Sequence, residues 1–194
     1  IQNNLTGAID STNSDARGLG RWTYCIINGR KNHKLVIITA YRLSHDSIPG
    51  DDTIYAQQYR LLRKQQIDHP KPKKIFDVDL CKLLGQWFHK QYDILLMMDA
   101  NTNTNDVSLQ RIINSAKLYD ILGATHGYHS PPTYIRGTKT IDYLFGTERV
   151  LQVVKNGGIR PFNADILSDH RALWIDLDMS RILDQTSHPL HLRE

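Results

Sequence analysis

Apolar residues in this chain fall into short unbroken runs separated by stretches in which they recur every three or four positions. The clearest run is Ile94-Leu95-Leu96-Met97-Met98, bounded by Asp93 and Asp99. A run this short, with no polar residue to alternate, predicts a strand covered on both faces. Trp22 to Asn28 and Lys34 to Tyr41 are rich in aromatic and β-branched residues and flank Asn28-Gly29, which predicts a pair of antiparallel strands. Leu5 to Asp10 predicts a short strand, followed by a polar loop from Ser11 to Asp15 and the turn residues Gly18-Leu19-Gly20. Asp51 to Gln66 carries Ile54, Tyr55, Tyr59, Leu61 and Leu62 at mostly helical spacing behind acidic capping candidates, and Phe76 to Lys90 predicts a second amphipathic helix. Prolines and lysines from His69 to Lys74 separate the two. Downstream, the polar run Thr102 to Asp106 caps a predicted helix from Val107 to Ala116, and Pro131-Pro132 marks a turn. Thr140 to Phe145, Leu151 to Ile159 and Ala172 to Leu177 predict further strands.

Composition places this pattern in a single domain. The 194 residues, 40% hydrophobic and 23% charged, suffice for one soluble unit with a substantial core. The formal charge of +4 leans weakly toward a polyanionic partner. Cys25 and Cys81 lie far apart on apolar segments and match no zinc spacing, so buried reduced thiols in an intracellular protein are expected. No apolar run reaches the length of a membrane span, and nothing near Ile1 has the layout of a signal peptide. A first residue other than Met suggests a piece of a longer chain. Gly18 and Gly20 are no dinucleotide fingerprint, since the third glycine is missing and a strand follows them. His188 and His191 belong to no acceptable four-ligand set, so residues 180–194 are read as a C-terminal tail to a domain spanning 1–179.

Polar residues gather at the strand ends. The central run delivers Asp99 and, one residue further, Asn101, an acceptor beside a group that both donates and accepts. If the extended conformation persists to Asn101, both side chains address one ligand. Tyr41 and Arg42 end the preceding strand, and Asp169-His170 precede the last. Asp142 sits inside an apolar strand, where a carboxylate costs several kcal/mol, to order of magnitude, unless it faces solvent or has a fixed partner such as a histidine. No Gly-x-Ser-x-Gly occurs, and the cysteines look like core, which sets serine and thiol hydrolases aside. What remains is an oxygen-rich set with one histidine, suited to a hard divalent metal and activated water acting on phosphate.

Thr39-Ala40-Tyr41, Asp99-Ala100-Asn101, Thr133-Tyr134, Ile141-Asp142-Tyr143 and Ser168-Asp169-His170 occur in the order and approximate spacing of the endonuclease/exonuclease/phosphatase superfamily. Over roughly Thr39 to Leu177 the chain most resembles its exonuclease III-like and apurinic/apyrimidinic endonuclease branch, which includes retrotransposon endonuclease domains. The resemblance implies a four-layer α/β/β/α sandwich of the deoxyribonuclease I-like kind and a Mg2+- or Mn2+-dependent phosphodiester hydrolase acting on DNA. By that pattern Asp99 orients or deprotonates the attacking water, Asn101 holds phosphate or metal, and Tyr41 contacts the phosphate or assists the leaving group. Asp169 helps bind the metal, and His170 hydrogen-bonds the phosphate while paired with Asp142. Asp99, Asn101, Asp169 and His170 form the implied metal set. Arg42, Arg136, Lys139 and Arg171 are candidate phosphate contacts. A monomer is expected, in a cell interior that includes the nucleus. Met98 stands where the family usually has glycine and Arg171 where a proline or small residue is frequent. The family's upstream Asn and Glu have no counterpart in residues 1–38, which implies an incomplete domain with weak or no activity. Alternatives are a phosphomonoesterase acting on inositol lipids or nucleotides, and a non-catalytic remnant that keeps the fold.

Overall fold

The structure, a computed structural model, describes residues 6–45, 50–127, 130–164 and 167–183. Leu5, His188 and His191 lie outside the described residues. The frame is a mixed sheet containing β1 (Ile9–Ser14), β2 (Trp22–Asn28), β3 (Lys34–Tyr41), β4 (Asp93–Asp99), β5 (Tyr119–Asp120) and β6 (Asp142–Gly146), in the order β1-β2-β3-β4-β6-β5. β3 and β4 are parallel and the other neighbours antiparallel. Helices α1 (Ile54–Lys64) and α2 (Pro72–His89) make the crossover between β3 and β4, as a parallel pairing requires. α3 (Val107–Ser115) and the short α4 (Ile121–His126) lie between β4 and β6; α5 (Glu148–Gln152), β7 (Val154–Ile159), β8 (Leu173–Leu177) and α6 (Met179–Ile182) complete the described chain.

One face of the large sheet is sealed by α2 and α3. Val36, Ile38, Ile94, Leu96 and Phe145 meet Phe76, Leu80, Leu84, Leu109 and Ile112 there, all essentially fully buried. Each such side chain contributes about 1.5–3 kcal/mol by leaving water, so this layer dominates stability. On the other face Ile27, Leu35, Leu95 and Leu144 pack against α4, α5, α6 and the apolar side of the β7-β8 pair. The expected sandwich of two sheets with helical cover is present, with a second sheet of two strands among the described residues.

β2, β3 and β4 run as their apolar patterns predict, but several boundaries differ. The polar stretch Ser11–Ser14 is strand, because an edge strand needs only backbone pairing and these side chains are largely exposed. α1 is capped not by an acid but by Thr53, whose Oγ1 accepts the Ala56 amide at 3.1 Å. α2 begins at Pro72, where a missing amide costs nothing in the first turn, so that proline starts the helix. The single strand expected over 151–159 is the end of α5 followed by β7, and β5 with α4 had no clear apolar signature. Asn28-Gly29 does lie in the hairpin connection, yet Gly29 is extended there. A Cβ at Gly29 would sit 2.7 Å from the Leu183 carbonyl oxygen, and that oxygen accepts the Arg30 amide at 2.8 Å. Ile182 and Leu183 are buried, so packing continues past the domain limit expected at 179.

Candidate active site

The register across the large sheet assembles the site. Tyr41 on β3 lies directly opposite Asp99 on β4, and Asp99 directly opposite Asp142 on β6. Residues opposite one another share a face, and alternation puts all three on the side away from α2 and α3, since Ala40, Met98 and Tyr143 between them enter the helix-side core. Three segments far apart in sequence thus present a phenol and two carboxylates in one row at the sheet rim.

His170 closes this row from a separate loop. Its backbone bridges to Tyr134, whose ring lies 5.1 Å from the imidazole between centroids, and the Ser168 hydroxyl accepts its amide at 3.1 Å. Nδ1 donates to Asp142 Oδ2 at 2.9 Å, which leaves Nε2 for a ligand. Asp142 therefore has the fixed partner its position demanded. Thr133 of the Thr133-Tyr134 motif carries no polar-at-strand-end signal in the sequence, yet it supports the site. It is fully buried, its Oγ1 accepts the Ile141 and Asp142 amides, and its carbonyl accepts the Arg171 amide, so it locks this loop to β6.

The expected extension of the strand to Asn101 does not occur. β4 ends at Asp99, and Asn101 has φ +50, a conformation asparagine tolerates. The turn folds Asn101 back so that its amide donates to Asp99 Oδ1 at 3.0 Å, while its Nδ2 donates to the Arg42 carbonyl at 2.7 Å. The Asn101 side chain also lowers the proton affinity of both Tyr41 and Asp99, so it still serves the same locus.

Electrostatics follow from this crowding. Burial, and then the charge of Asp142, push the Asp99 carboxyl up to about 6, against the opposing Asn101 amide and His170. For His170, burial favours the neutral ring, but the hydrogen bond and charge of Asp142 with the charges of Asp99 and Asp169 outweigh it and raise its pKa. Burial and the Asp99 charge raise Tyr41, which keeps the phenol protonated at neutral pH.

Asp99, Asp142 and His170 offer ligand atoms within 4.8 Å of one another. Two mutually repelling carboxylates with hard oxygen donors suit a divalent cation, whose charge relieves the repulsion. Asp142 joins Asp99 and His170 in this group; Asp169, also expected to help bind metal, is exposed, and its charge acts on His170.

The basic candidates divide. Arg136 and Lys139 are exposed on the loop from Thr133 to Asp142. Arg171 is half-buried, lies 4.1 Å from the Phe162 ring centroid and donates from Nε to the Pro132 carbonyl and from Nη1 to the Arg160 carbonyl. Arg42 does not face the rim. It is 1% exposed, with its guanidinium against Asp77 of α2, which corrects its expected role as a phosphate contact.

No known protein-family profile matches the chain, and no curated protein matches it in sequence. Solved structures do match it. A 3′ phosphatase from Neisseria bound to a product DNA hairpin superposes with TM-score 0.60 at 13% identity, over 88% of this chain and 71% of that one. An AP endonuclease from Archaeoglobus fulgidus gives 0.53 at 15% identity, over 88% and 69%. An AP endonuclease from Leishmania major gives 0.53 at 10% identity, over 80% of this chain and 54% of that chain. This chain has their fold, and it spans just over half the length of the last.

Proposed function

We propose that this chain is a divalent-metal-dependent phosphodiester hydrolase of the endonuclease/exonuclease/phosphatase superfamily whose substrate is DNA. The observation that carries this is the Tyr41–Asp99–Asp142 row closed by the hydrogen bond from His170 to Asp142. The fold it shares with AP endonucleases supports the same conclusion.

Each group has a task its environment suits. Asp99, at the centre of the row between Tyr41 and Asp142, takes a proton from the attacking water. His170, oriented by Asp142, directs Nε2–H at a phosphate oxygen and stabilises charge that develops there. Tyr41 remains a phenol and donates to the phosphate or the leaving oxygen. Asp99 and Asp142 would hold Mg2+ or Mn2+, with Asn101 and Asp169 as further candidate ligands. When bound, the ion supplies positive charge at the phosphate. Arg136 and Lys139 meet the DNA backbone, so binding weakens steeply with salt.

The test is nicking of supercoiled plasmid and of an abasic-site duplex by the whole chain with and without Mg2+. Asp99→Ala lowers the Mg2+-dependent rate by about 100-fold or more. Cleavage that persists in the variant, or in EDTA, overturns the proposal. Phosphate release from nucleotides or inositol phosphates without nicking moves the substrate to phosphomonoesters.

A further inference from the structure

Arg42 is the most heavily engaged buried cation near the rim, and nothing in the proposed chemistry uses it. Its Nε and Nη2 donate to the two oxygens of Asp77 at 2.7 and 3.0 Å, a bidentate pairing to α2. Nη2 also reaches Asp106 Oδ1 at 3.5 Å, the oxygen that caps α3 by accepting the Leu109 amide. Nη1 reaches the Ala100 carbonyl at 3.4 Å, on the residue that links Asp99 to Asn101. The main chain of Arg42 is tied to the same turn: its amide donates to the Asp99 carbonyl at 3.0 Å and its carbonyl accepts from the Asn101 carboxamide at 2.7 Å.

We infer that Arg42 is a positioning residue that sets the Asp99–Asn101 turn against Tyr41, with Asp77 and Asp106 as its anchors. The fork of the guanidinium holds two helices and one turn carbonyl at once, which fixes the Arg42 backbone, and that backbone in turn holds the Asn101 side chain. Tyr41 is the adjacent residue, so one side chain governs the spacing between the phenol of β3 and the carboxylate and carboxamide of the β4 turn. Lysine keeps the charge but lacks the planar fork, so it cannot hold these acceptors together. The catalytic consequence rests on the proposed hydrolase activity; the positional one does not.

A structural role alone would cost stability and nothing else, so the two must be separated. In the full chain, Arg42→Met leaves Asp77 without its partner, whereas Arg42→Met with Asp77→Leu removes both charges, a replacement that often restores stability. Melting temperature, the Asn101 side-chain amide signals in nitrogen-15 NMR spectra, and kcat and KM for Mg2+-dependent nicking are measured for both and for Arg42→Lys. The expected result is that the double variant regains most of the melting temperature, while the Asn101 amide signals shift and exchange faster and kcat falls about tenfold with KM within twofold. Arg42→Lys folds and gives a smaller kcat loss with the same sign. A stable double variant, or a folded Arg42→Lys should the others fail to fold, with native Asn101 signals and native kcat overturns the inference. Absence of Asp99-dependent nicking in the parent chain defeats the hydrolase proposal instead, and the Asn101 signals then still decide whether Arg42 positions the turn.

Discussion

The two faces of the large sheet are made by alternate residues of the same strands, yet they end differently at the rim. On the helix side Val36, Ile38 and Ala40 stay buried to the end of β3. On the other side burial fades along the strand, from Leu35 at 0% through half-buried Ile37 to exposed Thr39 and Tyr41 at 37%. β2 and β4 repeat the gradient, with Ile27 and Leu95 buried, Cys25 and Met97 half-buried, and Thr23 exposed at the rim. A concavity of about 650 Å³ lies over this face, lined among others by Thr12, Ser14, Thr23, Cys25, Ile37 and Thr39. Alternation thus separates two tasks. One face holds the fold, and the other leaves its last row accessible to a ligand while the strands beneath stay rigid.

The largest effect expected from this separation is on the sealed face. Leu96→Ala, pointing away from the site, costs about 2–5 kcal/mol in chemical denaturation. A loss no greater than that from Ile37→Ala on the opposite face would erase the distinction.

Next in size, Asp99→Asn stabilises the metal-free protein by about 1–3 kcal/mol near pH 7.5, a figure kept low because the group is partly solvated. The folded carboxyl, pushed up to about 6, holds its proton more tightly than the ordinary value of 3.8 allows, so stability falls as pH rises from about 4 through 6. The raised His170 pKa has the same sign: its contribution is full below the ordinary 6.5 and is lost as pH climbs through the higher folded value. Denaturation in EDTA from pH 4 to 8 reads both. The variant flattens the lower part of the curve and, by removing the Asp99 charge near His170, also shrinks the His170 part, and an unchanged slope below pH 6 would remove the electrostatic strain assigned to Asp99. Smaller still, Ile37→Ala costs about 1 kcal/mol, and Thr39→Val stays within about 0.5 kcal/mol on the same scale.

Much of this was legible because both the strands and the site residues are marked by contrast. β2, β3 and β4 are apolar runs, and Tyr41, Asp99, Asp142 and His170 stand out as polar groups at or beside the ends of such runs. Where contrast was missing, the structure diverged from expectation. β1 is polar throughout and paired by its backbone, and Thr133 acts through a short loop with no periodicity. Arg42 was misjudged for a different reason. A basic residue following a site tyrosine looks ligand-facing, and its partners Asp77 and Asp106 lie 35 and 64 residues away on helices whose packing no local pattern reveals.

The adjacency of Tyr41 and Asp99 depends on the parallel strand pairing, which closes only after the whole two-helix crossover has been made and folded. His170 arrives later still, near the end of the described chain. While this stretch is being made, a polypeptide growing from the ribosome therefore carries the row of Tyr41, Asp99 and Asp142 in separate pieces, and His170 joins them last.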